Sequence, residues 1–183
     1  HFLHLAVVEQ ESRRRLDILL SDRAGEEYEE IRDSDEHVAD LVEVERSDVI
    51  LLLVDGKKLS NPATRGVERH NAAVTIGALS QGGMLRQDAL ILVLLTKIDA
   101  MPAEGPEASA AIDAFDGIVS RMRADHGERL RIDSFRIAAR AQDGSLELGH
   151  GVEAVLARII VELWRDVGGA ASKRRADSRT LTP

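Results

Sequence analysis

The apolar residues of this chain gather into short runs that alternate with longer amphipathic stretches. Five such runs cover residues 2–9, 16–21, 49–54, 89–95 and 130–137. The third and fourth runs are uninterrupted, which is typical of strands whose two faces are both covered. The first two runs are separated by a short polar stretch, which indicates a hairpin. The pattern therefore predicts a hairpin followed by buried strands.

The stretches between the later runs carry apolar residues at helical spacing. They predict helices over 36–46, 63–79 and 107–125, and a closing helix over 152–163. Strands that alternate with helices form a parallel sheet with helices on both faces. We therefore expect an α/β fold in three layers, doubly wound around a mostly parallel sheet, with one antiparallel hairpin.

Composition and charge narrow the class of protein. The 183 residues are 44% hydrophobic but only 3% aromatic, so the core of this single domain must be built from aliphatic side chains. There is no cysteine, which excludes disulfides and thiolate metal sites. A net charge of −8 argues against general binding of nucleic acid. No stretch reaches the ~18 apolar residues of a membrane span and no signal peptide is visible, so we expect a cytoplasmic protein.

The end of the chain differs from the rest. Residues 167–183 show no apolar periodicity and carry the basic run Lys173-Arg174-Arg175. This composition predicts a disordered basic tail, with a basic docking peptide as the alternative. We therefore expect the folded domain to occupy residues 1–166.

The residues that could carry chemistry follow the fourth apolar run. Residues 91–95 lead straight into Thr96-Lys97-Ile98-Asp99. Ligands of open α/β sheets bind at the carboxyl ends of the strands, so this tetrapeptide would emerge at the usual ligand crevice. An ordinary strand end with a solvated lysine and aspartate is the alternative.

Thr96-Lys97-Ile98-Asp99 resembles (Asn/Thr)-Lys-x-Asp, the guanine-reading motif of P-loop GTPases. The resemblance implies that this segment binds the nucleotide base. Asp99 would accept hydrogen bonds from guanine N1 and N2, and the stem of Lys97 would lie along the base. A carboxylate is an acceptor only, so it fits two adjacent donors on guanine and repels the acceptor edge of adenine.

A second segment is similar to the Asp-x-x-Gly motif of the same class. Asp22-Arg23-Ala24-Gly25 follows the second run, which implies that Asp22 holds Mg²⁺ through a water and that the Gly25 amide meets the γ-phosphate. A simple turn after a strand is the alternative. Glu26 stands where many members carry the glutamine that orients the attacking water, so it is the candidate catalytic residue. Its charge argues against fast hydrolysis, and a solvated acid at a helix start is the other interpretation.

The end of the fifth run resembles a third motif. Ala138-Ala139-Arg140 sits where the class carries Ser-Ala-Lys, whose backbone reads guanine O6. The resemblance implies that the backbone at Ala138 and Ala139 contributes to base binding, with the Ala139 amide as the donor. Ala138 and Arg140 depart from the motif, so only this backbone role is carried over.

The order and spacing of these segments resemble the second half of a translation-factor or Ras-like P-loop GTPase domain. Within that class the chain looks most like the bacterial double-GTPase family. The resemblance implies a bacterial protein that binds GTP or GDP with Mg²⁺ beside a protein partner, either a second GTPase or an effector. The phosphate-cradling loop Gly-x4-Gly-Lys-(Ser/Thr) does not occur in the sequence. We expect it, with its strand, upstream of His1 or on another chain.

The predicted function is that of a guanine-nucleotide switch. The protein would hydrolyse GTP slowly to GDP and phosphate and so regulate a partner, provided that the phosphate loop exists outside the printed residues. The alternative is a non-catalytic GTPase-like scaffold or interaction module without such a loop. Other α/β enzymes lack support, because no Gly-x-Ser-x-Gly elbow occurs.

Overall fold

The computed structural model describes residues 2–8, 10, 13, 15–21, 42–141 and 146–177. Its first two strands, β1 (Phe2–Val8) and β2 (Arg15–Ser21), form an antiparallel hairpin. On β2 the buried residues Leu16 and Ile18 alternate with exposed ones, as in a strand that covers a core with one face. The predicted hairpin is confirmed.

The remaining strands form a three-stranded parallel sheet. They are β3 (Val49–Asp55), β4 (Leu90–Thr96) and β5 (Arg131–Arg136), in the spatial order β3-β4-β5. The register places Asp55 opposite Thr96, so the carboxyl ends of neighbouring strands meet at one edge of the sheet. The hairpin is hydrogen-bonded as a separate two-stranded sheet.

Helices precede, connect and follow the parallel strands. They are α1 (Val42–Glu45), α2 (Gly56–Ser60), α3 (Pro62–Gln81), α4 (Pro106–His126) and α5 (Val152–Asp177), with a 3₁₀ turn at Ile98–Ala100. The start of α3 follows from its sequence. The Asn61 side chain accepts from the Ala63 amide at 3.0 Å, and Pro62 takes the first helical position.

The two faces of β4 belong to two different cores. Alternate side chains of a strand point to opposite faces of the sheet. The face of β4 that carries Ile91, Val93 and Leu95 packs with α3 and α4. The other face, with Leu90, Leu92 and Leu94, packs with β2 and α5. The result is the expected three-layer α/β arrangement.

β3 is an edge strand of the described parallel sheet. Among the described residues, no strand pairs with the edge of β3 that faces away from β4. Leu51 and Leu53 are 37% and 62% exposed, whereas their partners in register on β4, Leu92 and Leu94, are 0% and 2% exposed. Parallel sheets normally have both faces covered. The described residues therefore leave an apolar edge and one apolar face of β3 open.

A buried ion-pair cluster joins α5 to β5. The Glu162 side chain is 2% exposed, and Arg131 donates to both of its carboxylate oxygens at 2.6 Å. Arg158 and Arg165, on neighbouring turns of α5, add contacts of 3.2 and 2.9 Å. The hydrogen bond from Arg131 is the largest cause of a shift in the pKa of Glu162. Together with the hydrogen bond from Arg158 and the charges of Arg131 and Arg165, it outweighs burial and lowers this pKa to about 2. The cluster fixes α5 against the sheet.

The ends of two predicted segments differ from the structure or lie outside it. Of the helix expected over 36–46, the structure describes only Val42–Glu45. α5 continues to Asp177, although the sequence pattern indicated disorder from residue 167. Alanine, lysine and arginine favour a helix even where no apolar stripe is present. The division of the chain at residue 166 stays a prediction.

No helix in the described ranges is long and apolar enough to cross a bilayer.

Candidate functional site

The carboxyl ends of β3 and β4 are tied together at the edge of the sheet. Asp55 and Thr96 are partners in the parallel register. The Thr96 hydroxyl donates to the carbonyl of Val54 at 3.2 Å, which holds the last residue of β4 against β3. The Thr96 side chain is therefore used within the protein, where it stabilises the turn that follows β4.

Gly56 allows α2 to begin directly beside this turn. A Cβ built at Gly56 would lie 2.7 Å from the Thr96 carbonyl oxygen and 2.7 Å from Met101 Sδ. Real Cβ atoms essentially never approach that closely, so a larger residue would displace either the helix or the turn. Asp55 and Gly56 directly follow the third apolar run of the sequence, and such a pair marks the end of a strand but does not reveal this contact.

Lys97 is held by an ion pair with Asp55. Lys97 Nζ lies 2.6 Å from Asp55 Oδ2, while the Lys58 amide donates to Asp55 Oδ1 at 3.1 Å. Burial of Asp55 opposes its ionisation, but these two hydrogen bonds outweigh burial and lower the pKa of its carboxyl group. The hydrogen bond between Lys97 and Asp55 also raises the pKa of Lys97. Asp55 is a site residue that sequence reasoning missed.

Asp99 lies in the 3₁₀ turn immediately after Lys97. It is partly buried, and its carboxylate has no hydrogen-bond or ion-pair partner among the described residues. An ionised carboxylate offers about four acceptor positions, and those that the protein leaves unused are open to water or to a ligand. Asp99 is therefore available to accept hydrogen bonds from a bound molecule.

The segment after β5 lies beside the same turn. The Ile98 amide donates to the Ile137 carbonyl at 3.4 Å, and the Ile137 amide donates to the Leu95 carbonyl at 2.8 Å. The structure therefore places the segments Thr96–Asp99 and Ala138–Ala139 side by side, and their role in binding a base stays a prediction.

The two alanines of this segment differ in what they can offer. Ala138 is fully buried, and its amide donates to the His150 carbonyl at 3.0 Å. Ala139 is exposed, and its amide has no backbone acceptor among the described residues. The Ala138 amide is thus already used within the protein, and the Ala139 amide is the one that remains for a ligand.

Comparison with protein families assigns the chain to a known family. The family model described as Double-GTPase 2 matches residues 1–160. The chain belongs to the Double-GTPase 2 family. No curated protein and no solved structure gave a significant match. The family match confirms the resemblance to a double-GTPase, and membership of this family suggests guanine-nucleotide binding.

Three predicted site residues of this Double-GTPase 2 domain lie outside the described residues. They are Asp22, Gly25 and Glu26. Their assignment to Mg²⁺, to the γ-phosphate and to catalysis stays a prediction. In the part of the chain that the structure describes, no three histidine or carboxylate side chains gather in a way that could hold a metal ion. The magnesium prediction therefore depends on Asp22.

Proposed function

We propose that this Double-GTPase 2 domain binds GTP and GDP at the carboxyl edge of its parallel sheet and hydrolyses GTP slowly as a switch that regulates a protein partner. The observation that carries the proposal is Asp99, a partly buried carboxylate without a partner among the described residues. It follows Lys97 in a turn whose Ile98 amide is bonded to the Ile137 carbonyl, two residues before Ala139.

The base specificity follows from the chemistry of these three groups. Asp99 accepts from guanine N1–H and from the exocyclic amine at C2, which adenine cannot match. The Ala139 amide donates to guanine O6, and adenine has an amine at that position. Each hydrogen bond to the charged carboxylate contributes about 1.5–3 kcal/mol of discrimination. Lys97 contributes the apolar stem of its side chain as a surface for the flat base.

The phosphate end of the nucleotide is assigned to the segment after β2. Asp22 would hold Mg²⁺ through a water, the Gly25 amide would sense the γ-phosphate, and Glu26 would polarise the attacking water. A carboxylate next to an anionic phosphate favours slow turnover. The printed residues contain no Gly-x4-Gly-Lys-(Ser/Thr) loop, so the proposal requires that loop from residues outside them. The open edge of β3 is where the strand that carries such a loop would pair.

Calorimetric titration of the intact protein with GDP and Mg²⁺, with ADP for comparison, tests the proposal. Asp99→Asn should weaken GDP binding by about 10- to 100-fold, the equivalent of one charge-assisted hydrogen bond. It should strengthen binding of xanthosine diphosphate, because the asparagine amide can donate to the oxygen that xanthine carries at C2. The matched control is Asp113→Asn, an exposed aspartate on α4, which should leave both affinities unchanged.

Two results would contradict the proposal. An Asp99→Asn variant that binds GDP as tightly as the wild type would remove the base-reading role of Asp99. A wild-type protein that binds neither GDP nor ADP would favour the alternative function, a non-catalytic interaction module with a GTPase-like fold.

A further inference from the structure

Lys97 has a backbone conformation that few residues other than glycine adopt. Its φ and ψ are 54° and 38°, in the left-handed region, where the side chain of an L-residue crowds the backbone. Such a residue persists only when its surroundings hold it there. The neighbouring Thr96 hydroxyl bond and the Ile98 amide bond fix the backbone on both sides. The direction in which the Lys97 side chain leaves the strand is therefore set by the fold.

The far end of the Lys97 side chain is fixed as well. Its ammonium group lies 2.6 Å from Asp55 Oδ2, although the side chain as a whole is 60% exposed. A lysine that is this exposed normally samples many rotamers. With Cα and Nζ both held, the four-carbon stem is confined to the span between the end of β4 and the end of β3.

Asp55 is itself held so that one carboxylate oxygen is reserved for Lys97. Its Oδ1 accepts from the Lys58 amide as the N-cap of α2. Its backbone amide donates to Glu68 Oε1 at 2.8 Å, and Glu68 Oε2 lies 3.6 Å from Lys58 Nζ. The Asp55 side chain is only 16% exposed. The aspartate is thus a rigid anchor, and the lysine is the flexible partner.

We propose that Asp55 is a positioning residue for the base-binding site, which acts by holding the stem of Lys97 in the orientation that receives a guanine base. The inference deepens the proposed function and rests on it. Ordering of a long side chain before the ligand arrives removes that entropic cost from the binding step. An ion pair with one exposed partner contributes little to folding. Asp55 therefore acts mainly on nucleotide affinity, through Lys97.

The substitution Asp55→Asn isolates this role. Asparagine caps helices about as well as aspartate, so the bond to the Lys58 amide is retained while the charge that holds Lys97 is removed. Calorimetric titration of the intact protein should show GDP binding weakened about threefold to tenfold, the effect of releasing one long side chain. Lys57→Met is the control and should leave GDP affinity unchanged, because it removes a neighbouring exposed charge that has no ion-pair partner among the described residues.

A double-mutant cycle with Lys97→Met separates positioning from a general structural effect. If Asp55 acts through Lys97, Asp55→Asn should change GDP affinity less than 1.5-fold, about experimental error, when Lys97→Met is already present. An equal effect in both backgrounds would overturn the inference. A second result would also overturn it: Asp55→Asn binds GDP as tightly as the wild type while Asp99→Asn binds GDP weakly. In that case the proposed function would stand.

A readout without nucleotide tests the ion pair separately. The side-chain NMR titration of Lys97 should give a lower pKa in Asp55→Asn than in the wild type, because the hydrogen bond that Lys97 donates to Asp55 raises the pKa of Lys97. An unchanged Lys97 pKa would overturn the inference whatever the nucleotide data show. A wild-type protein that shows this ion pair but binds no GDP would overturn the proposed function and the positioning role with it.

Discussion

Glu162 gives the most direct test of how the fold is held together. The substitution Glu162→Gln keeps the size of the side chain and removes the charge shared by Arg131, Arg158 and Arg165. The pKa of Glu162 is lowered from 4.5 to about 2. At about 1.4 kcal/mol for each pH unit, the folded protein favours the ionised carboxylate by about 3 kcal/mol.

The measured loss should be close to that figure but somewhat smaller. The three arginine side chains are 25% to 54% exposed, so water can solvate them once the carboxylate is gone. We therefore expect Glu162→Gln to lower the free energy of unfolding by about 2–3 kcal/mol at pH 7. The assay is urea unfolding followed by circular dichroism, with an unchanged m value. The control is Glu128→Gln in the exposed turn after α4, which should change stability by less than about 0.5 kcal/mol.

The pH dependence gives the same test a second readout. A carboxyl group whose pKa is lowered by folding stabilises the protein above its unfolded pKa, and this stability is lost as the pH falls through the folded value. The wild type should therefore lose the contribution of Glu162 between pH 4.5 and about pH 2. Glu162→Gln should lack that part of the acid dependence. A variant that matches the wild type within about 0.5 kcal/mol at pH 7, or that keeps the full acid dependence, would refute the reasoning.

Two further substitution pairs test the packing by the same urea unfolding. Gly56→Ala should lower stability by about 1–3 kcal/mol, because its Cβ would lie 2.7 Å from the Thr96 carbonyl oxygen. At Gly66 on α3, an added Cβ would meet no described atom within 4 Å other than its own stretch of helix backbone. Gly66→Ala should therefore raise the free energy of unfolding by about 0.5–1 kcal/mol, and the same sign at both glycines would contradict the steric explanation. Ile91→Ala, fully buried on β4, should cost about 2–5 kcal/mol. Leu148→Ala, 81% exposed, should change stability by less than about 0.5 kcal/mol, and equal costs for these two would contradict the position of the core.

The sequence predicted the elements that a local pattern specifies. The uninterrupted apolar run of β4 indicated a strand covered on both faces, and the structure buries that strand along its whole apolar length. Asn61 and Pro62 marked the start of α3 by capping chemistry that depends on neighbouring residues alone. The position of Thr96–Asp99 at the end of β4 followed from the same run.

The contacts that complete the site depend on register, which a local pattern does not contain. Asp55 and Lys97 are 42 residues apart in sequence and meet because β3 and β4 pair in parallel. A run of aliphatic residues packs equally well in several registers, so the pairing could not be inferred from it. The hydrogen bond from the Ala138 amide to the His150 carbonyl likewise forms because the chain returns to the end of β5 at His150. Tertiary contacts of this kind explain why the binding motif was visible but its support was not.

The edge of β3 that no described strand pairs with has a consequence for the behaviour of the protein in solution. Residues 49–54 read Val-Ile-Leu-Leu-Leu-Val, a window with strong β propensity and with neither charge nor proline. Such windows at an open strand edge are templates for pairing between molecules and seed fibrils. Any segment or subunit that pairs with this edge therefore also acts as a solubility factor. Expression yield and shelf life of the protein should rise when the edge is occupied, which links its colloidal stability to its assembly.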